Sequence, residues 1–527
     1  MDHMAQDSIN VLPRSSLSTH MAPMEHSETS VASEREIAAG RQPLTAAQLE
    51  QRLVFERNHL PEARILSDPS DLPHRGDVAQ PVSKLEVTIC ATKEVVTFQV
   101  KAYLHFTDCD QYRHTFISTY IAYNMSGKTR YFDTIVVGCG GIGSAAVYWL
   151  SKTSSSVLGL EQFELGHGRG GSDDVSRVIR YGYHDEVYSR LVHQAYSAWE
   201  TLERESGLKI IHRTGGLQLA RKGEGDHVLE TYMAAMTRDN VKFDRLTNTE
   251  LMRRFPQFNL ESNIVGFYVE HSGIVDATMA NAAHIQLARG NGATIIDRCP
   301  VTRLHRANNG NIVVHTTKGV FECRKVVVTS GGWLNKVLGT IGVHVPVTVT
   351  QEQATFYATP HMKEFTKDRF PVWCFHGSRY DIYGLPIHGN TGTKVGVDAG
   401  GHAVTADTRT FDPDPVREKA CTDLVNVICP KFAGPILNTR TCLYTMPPDR
   451  NFVVDTCAYK GWSDVIVCCG AGHAYKFAGI LGKILCELAV DGRTQYDISR
   501  FNITRDAIQD PTFKPTFFMG SGMEAKL

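Results

Sequence analysis

One set of glycines in this sequence is spaced to hold a phosphate. Gly138, Gly140 and Gly143 follow the order Gly-x-Gly-x-x-Gly. A short apolar, β-branched run at 132–137 leads into them, and a helix-like run at 144–150 follows. A second apolar run at 157–160 ends in Glu161. Strand, turn, helix and second strand in that order make the unit that binds dinucleotides. Gly138 permits the tight turn, Gly140 lets the backbone approach a pyrophosphate, and Gly143 lets helix and strand pack closely. The start of the helix offers free N–H groups and a partial positive charge to the phosphates. Glu161 is placed to accept from ribose hydroxyls. An acid there favours FAD or NAD over a 2′-phosphorylated cofactor, and these residues do not choose between the two.

Other residues with chemical potential stand far apart. Gly166-His167-Gly168-Arg169-Gly170-Gly171-Ser172 leads to Ser176-Arg177-Val178-Ile179-Arg180. A guanidinium grips a carboxylate through two parallel hydrogen bonds, whereas a lysine acts as a point charge. Taken alone, Arg177 and Arg180 read equally well as a solvated helix face. Cys442 stands in Thr441-Cys442-Leu443-Tyr444-Thr445, and an isolated thiol most often ends as a buried hydrophobe. Gly470-Ala471-Gly472-His473-Ala474-Tyr475-Lys476-Phe477 precedes a helix-like run at 480–490.

These residues need a scaffold, and the composition says where it begins. The chain of 527 residues has room for two to four domains. Residues 1–80 hold a single aromatic, Phe55, against 9% over the whole chain. Such a stretch does not build its own core. Residues 1–84 are therefore expected to be a disordered extension, with a short helix at 45–58 started by the Thr45–Gln48 capping pattern. Residues 85–130 form an appendage of unassigned role, with strand-like runs at 85–90 and 95–104. A net charge of −1 gives none of the basic excess that nucleic-acid binding needs. No run of 18 apolar residues is present to span a membrane, and no secretory leader follows Met1. The 13 cysteines include no Cys-x-x-Cys pair, so no metal site is expected and the thiols read as reduced and intracellular.

Together with Pro448-Asp449-Arg450-Asn451-Phe452-Val453-Val454-Asp455, these blocks, in this order, resemble the monomeric sarcosine oxidase and N-methyl-tryptophan oxidase family of flavin amine oxidases over residues 131–505. The resemblance implies an α/β fold like that of D-amino-acid oxidase. A Rossmann-like FAD-binding domain (131–212, 272–344 and 440–505) would be interwoven with a substrate domain on an antiparallel sheet (213–271 and 345–439), followed by a tail at 506–527. It implies FAD bound covalently through Cys442, with Val301 and Gly472 also at the cofactor and Tyr444 lining the substrate pocket. Arg180 and Lys476 would hold the substrate carboxylate, while Arg177 and His473 would stand by the flavin ring. The implied partners are a small secondary amine or amino acid and oxygen, and a monomer is expected. The implied reaction is hydride transfer to flavin, giving an imine and hydrogen peroxide.

Two positions depart from the family pattern. Where relatives usually have a His beside the flavin, this chain has Asp173, followed by Asp174. In the strand expected after Pro346, relatives commonly carry a basic residue associated with oxygen activation, and this chain reads Thr350-Gln351-Glu352-Gln353. A cation there would stabilise developing superoxide. Its absence keeps open a flavin dehydrogenase with another electron acceptor, unless Lys476 or Arg177 compensates. A non-catalytic dinucleotide-binding protein of this fold is a further alternative, against which Cys442, Arg180 and Lys476 argue. The terminal Ala525-Lys526-Leu527 is close to the peroxisomal Ser-Lys-Leu address, so a peroxisomal import receptor is an expected partner and the cytoplasm the alternative location. Deleting residues 1–125 is expected to leave flavin binding intact. A purified truncation without flavin absorbance would show that the extension is part of the fold.

Overall fold

The computed structural model describes the strands Lys84–Ala91, Val96–Tyr103 and Ile117–Tyr123, and then residues 130–516 except 155, 184 and 391. The helix expected at 45–58 and the terminal tripeptide lie outside the described residues. Two compact units divide the chain after Lys128. In the first, the three strands pair in order as an antiparallel sheet. The third of them, Ile117–Tyr123, has no counterpart among the sequence expectations.

The second unit is built on two large sheets. In one, Arg130–Val137 lies between Val157–Leu160 and Gly319–Val328, both parallel to it. Thr294–Ile296 extends the parallel set beyond Val157–Leu160, and Trp462–Cys469 extends it beyond Gly319–Val328. A parallel sheet is covered on both faces, so its strands are apolar throughout. Alternate residues duly serve different cores. Val136 packs with helix residues Ala146, Val147, Leu481 and Ile484. Ile135 and Val137 face Leu158, Val326 and Val328 on the other side. The helices Gly141–Ser151 and Ala478–Asp491 cross where both are small, and a Cβ on Gly482 would lie 2.5 Å from the Ala145 Cβ.

The other sheet has nine strands. Thr348–Tyr357 is central to the site. It pairs with Thr393–Val397 and His402–Val404 along one edge and with Ile436–Met446 along the other. Neighbouring strands are antiparallel except Val372–His376, which runs parallel to Gly216–Arg221. Residues 440–446, expected in the nucleotide half, are hydrogen-bonded into this second sheet. The chain returns to the first sheet at Val453–Cys457 and Trp462–Cys469. Trp373, Phe370 and Phe432 fill the core beneath the second sheet, with Val425 and Ile428 of helix Pro415–Ile428.

Gly482→Ala is expected to cost about 1–3 kcal/mol through overpacking, because the new methyl group meets the Ala145 backbone as well as its side chain. The check is the thermal unfolding midpoint, and an unchanged midpoint would mean that the two helices separate at no cost.

Candidate active site

Both sheets contribute to one cavity of about 1760 Å³. Small-molecule pockets run about 300–1,000 Å³, so this one has room for a large ligand and a small one together. Glu161, Cys299 and Val301 line it, as do Gly138–Ile142 and Ser172, and Cys442, Tyr444, Arg180, His473 and Lys476.

At the glycine turn the contact distances leave no room for side chains. Gly138 has φ +92°, and a Cβ there would stand 2.8 Å from the Thr329 carbonyl oxygen. A Cβ on Gly140 would meet Ser172 Oγ at 2.7 Å, and one on Gly143 would lie 1.8 Å from the Gly138 carbonyl oxygen. The helix Gly141–Ser151 has Gly140 as its N-cap and no side-chain cap. Only Ser172 Oγ reaches in, accepting from the Gly141 N–H at 2.8 Å. Glu161 is buried and accepts from the Cys139 and Phe163 N–H groups at 2.9 and 3.1 Å. Ser330 Oγ lines the cavity as a buried hydroxyl without a partner. An open helix start, a cradle that excludes side chains and an acid at the next strand's end fit a dinucleotide.

The thiol comes from the second sheet. Cys442 is paired with Glu352, and Tyr444 with Thr350. The two-residue period of a strand puts both on one face, while Leu443 between them packs with Trp333 and Val349. Burial pushes the Cys442 thiol up to about 11, and the neighbouring Arg177 partly offsets this. Lys394 also counters the rise. Sequence-adjacent Arg440 instead stands over the Phe356 ring. Gly472, at φ +79°, tucks beneath Tyr444, where a Cβ would approach the ring to 2.5 Å.

The strand beside Thr348–Tyr357 brings a lysine to the cavity. Lys394 is opposite Phe356, is buried, and lines the cavity. It is paired with Asp174, which also binds Arg177 Nη1 at 2.8 Å. Burial pushes the Asp174 carboxyl up, but Lys394 and Arg177 outweigh it and hold the group below its usual range. Arg177 lies in the strand Arg177–Ile179 rather than on a helix. Asp173 lines the same wall, and its carbonyl oxygen accepts from Arg177 at 3.3 Å.

Beyond the thiol the cavity becomes cationic. Arg180 donates to Gln218 Oε1 at 3.0 Å and lies between the rings of Tyr183 and Tyr232, 5.5 and 5.3 Å from their centres. Lys476 donates to the His473 carbonyl oxygen at 2.9 Å. Among the described residues neither cation forms an ion pair with a carboxylate. Burial, then Arg180, pushes Lys476 down to about 7. Burial, then Arg450 and Lys476, holds His473 well below its ordinary value. His473 Nε2 lies 3.1 Å from the Arg450 carbonyl oxygen; a carbonyl only accepts, so Nε2 carries the proton and Nδ1 the lone pair. Sequence reasoning missed the Arg450–Asp398 pair at 2.7 Å in this wall, and Asp398 lies in no motif that could have marked it.

Among the described residues, one cluster of potential metal ligands is found, His212, Asp276 and His388. The Lys367 ammonium lies 3.2 and 3.3 Å from the two Nδ1 atoms, and His388 Nε2 lies 3.0 Å from Asp276. The group is closed by its own hydrogen bonds.

Comparison with known proteins points the same way. The pattern of the FAD dependent oxidoreductase family matches residues 133–488. A monomeric sarcosine oxidase of Arthrobacter sp. is 30% identical over 382 residues, 72% of this chain and 97% of the relative. The human peroxisomal sarcosine oxidase is 30% identical over 388 residues, 72% and 98% of the two chains. Among solved structures, NikD, an amino acid oxidase essential for nikkomycin biosynthesis, superposes with a TM-score of 0.65 at 26% identity, covering 71% of this chain and 97% of its own.

The charge state of Lys476 sets a test. With its value near 7, the ammonium is full below about pH 6 and lost above about pH 8. Acetate binding, followed by calorimetry, is expected to weaken as pH rises from 6 to 9, and Lys476→Met to flatten that dependence. A wild-type affinity constant across this range would place the anion elsewhere.

Proposed function

The chain belongs to the family of FAD dependent oxidoreductases, and from that premise we propose that it oxidises N-alkyl or cyclic amino acids at the CH–NH bond, with oxygen as acceptor. The observation that carries the reading is the pair Arg180 and Lys476, two partly buried cations without a carboxylate partner among the described residues, in the same cavity as the dinucleotide cradle. The names of the relatives, sarcosine oxidase and N-methyl-L-tryptophan oxidase, support the substrate class. When bound, FAD accepts the hydride equivalent from the amine and returns the electron pair to oxygen.

The chain's own residues do the rest. The helix start at Gly141, which lacks a side chain at its N-cap, and the turn Gly138–Gly143 would hold the pyrophosphate, Glu161 the ribose, and Val301 the adenine end. Cys442 carries the flavin covalently. The linkage would need the thiolate, and Arg177 and Lys394 are the cations that favour its ionisation. Arg180 and Lys476 fix the substrate carboxylate, which aims the C–H bond and replaces the entropy cost of orientation by binding. Tyr444, Tyr183 and Tyr232 wall off water. His473 stays neutral and does not compete for the carboxylate. Lys394 supplies the positive charge beside which oxygen is reduced. A peroxisomal location belongs to this reading. It is supported by the names of the human and mouse relatives.

Sarcosine, N-methyl amino acids, pipecolate and fructosyl amino acids are the set to screen, by anaerobic bleaching of the flavin and by peroxide release in air. At least one is expected to bleach it, and bleaching by none would end the substrate class. Peroxide release separates an oxidase from a dehydrogenase. Arg180→Met is expected to lower kcat/KM by about 10–100-fold, the worth of a hydrogen bond to a charged group. Acid-precipitated wild type is expected to stay yellow and Cys442→Ala to release its colour. A wild-type pellet that bleaches would remove the covalent bond from the reading.

A further inference from the structure

The walls around Cys442 contain one more charge than the oxidation chemistry calls for. Lys394 is 3% exposed. Its ammonium donates to Asp174, to the Ser176 carbonyl oxygen at 2.9 Å and to Ser176 Oγ at 3.3 Å. An ammonium has three N–H donors, so all three are spent inside the protein. Arg177 is tied in the same way. Its Nη1 binds Asp174 at 2.8 Å and the Ser176 carbonyl at 3.0 Å, and its Nη2 binds the carbonyls of Gly171 and Asp173 at 3.1 and 3.3 Å. Asp174 is itself buried, and its other oxygen accepts from the Val175 N–H at 2.7 Å. The three groups leave one net positive charge where the two cations alone would give two. Cys442 and Tyr383 stand within electrostatic reach of Asp174 and Arg177.

We propose that Asp174 is a positioning residue that holds Lys394 and Arg177 beside the flavin while cancelling half of their charge, and so sets both the reduction potential of the bound flavin and its rate of reaction with oxygen. This rests on the reading that the flavin ring lies beside Cys442. In that reaction two electrons and one proton pass from the anionic reduced flavin to O₂, a second proton comes from solvent, and hydrogen peroxide leaves. Negative charge is carried by the reduced ring and then develops on oxygen. Nearby positive charge favours both, and in a buried site it is weakly screened. Asp174 therefore keeps the potential low and keeps the Lys394 donors from the oxygen.

The test uses the purified holoenzyme with Asp174→Asn and Asp174→Ser. The potential is measured by equilibration with a redox dye and reoxidation by stopped flow. Both variants are expected to shift the reduction equilibrium at least tenfold toward the reduced flavin, about 30 mV for a two-electron couple, and to reoxidise several-fold faster. Asp174→Glu is expected to return both values toward wild type. Adding Lys394→Met to Asp174→Asn is expected to remove the gain in oxygen rate. An unchanged or lowered potential in variants that keep their flavin would overturn the proposal. So would loss of flavin from both neutral variants, which would make Asp174 a scaffold residue only. The dye titration needs no amine, so failure of the substrate class leaves this result standing, and an unmoved potential leaves amine oxidation standing.

Discussion

The nucleotide half of the molecule depends on one contact, the approach of the Gly141–Ser151 helix to the strand before it. At Gly143 there is no space for even a methyl group beside the Gly138 carbonyl oxygen. Thr329, at the end of a neighbouring strand, donates its hydroxyl to that same oxygen at 2.7 Å. The approach brings the helix start to the cavity wall, and the absence of a side-chain cap leaves it open. Three other helices are capped, with Asp185, Asp276 and Asp414 each accepting a hydrogen bond from the first turn of the helix they precede, whereas Asp226–Arg238 and Ala478–Asp491 also start without a side-chain cap. At Gly140 such an oxygen would occupy the place of an anion and put a second negative charge beside it.

The second constraint is electrostatic. Charged groups removed from water are stable only when paired or when a ligand completes them. The cavity shows both cases side by side. Around Cys442 the charges close on themselves through Asp174, Lys394 and Arg177. Further on, Asp398 and Arg450 form a pair, whereas Arg180 and Lys476 are left with neutral partners. The incompletely paired cations mark where an anion belongs, and the paired groups define the field in which it lies.

What could be read from the sequence follows the range of the interactions. The glycine turn and Glu161 lie within one strand–turn–helix–strand unit, so each residue's duty follows from its neighbours. The motifs at 177–180, 442–444 and 472–476 were legible as blocks and are brought together along one cavity. The Lys394–Asp174 pair spans 220 residues and exists only because Thr393–Val397 lies beside Thr348–Tyr357. The segment 350–353 carries no cation, and its side chains have another task. Gln351 and Gln353 donate to the carbonyls of Asp412 and Asp414, and Glu352 holds Arg417 at 3.2 Å. Those residues hold the segment leading into the Pro415–Ile428 helix. Placing 440–446 in the nucleotide half failed because strand partnership is not encoded in a strand's own residues.

That strand has a consequence for how the protein matures. Ile436–Met446 is held by Thr348–Tyr357, and both were made long after the glycine turn at 138–143. During synthesis the nucleotide cradle therefore emerges before the wall with Cys442 and the segment with Lys476. The complete cavity exists only in chains in which both sheets have formed, because its walls come from segments far apart along the chain.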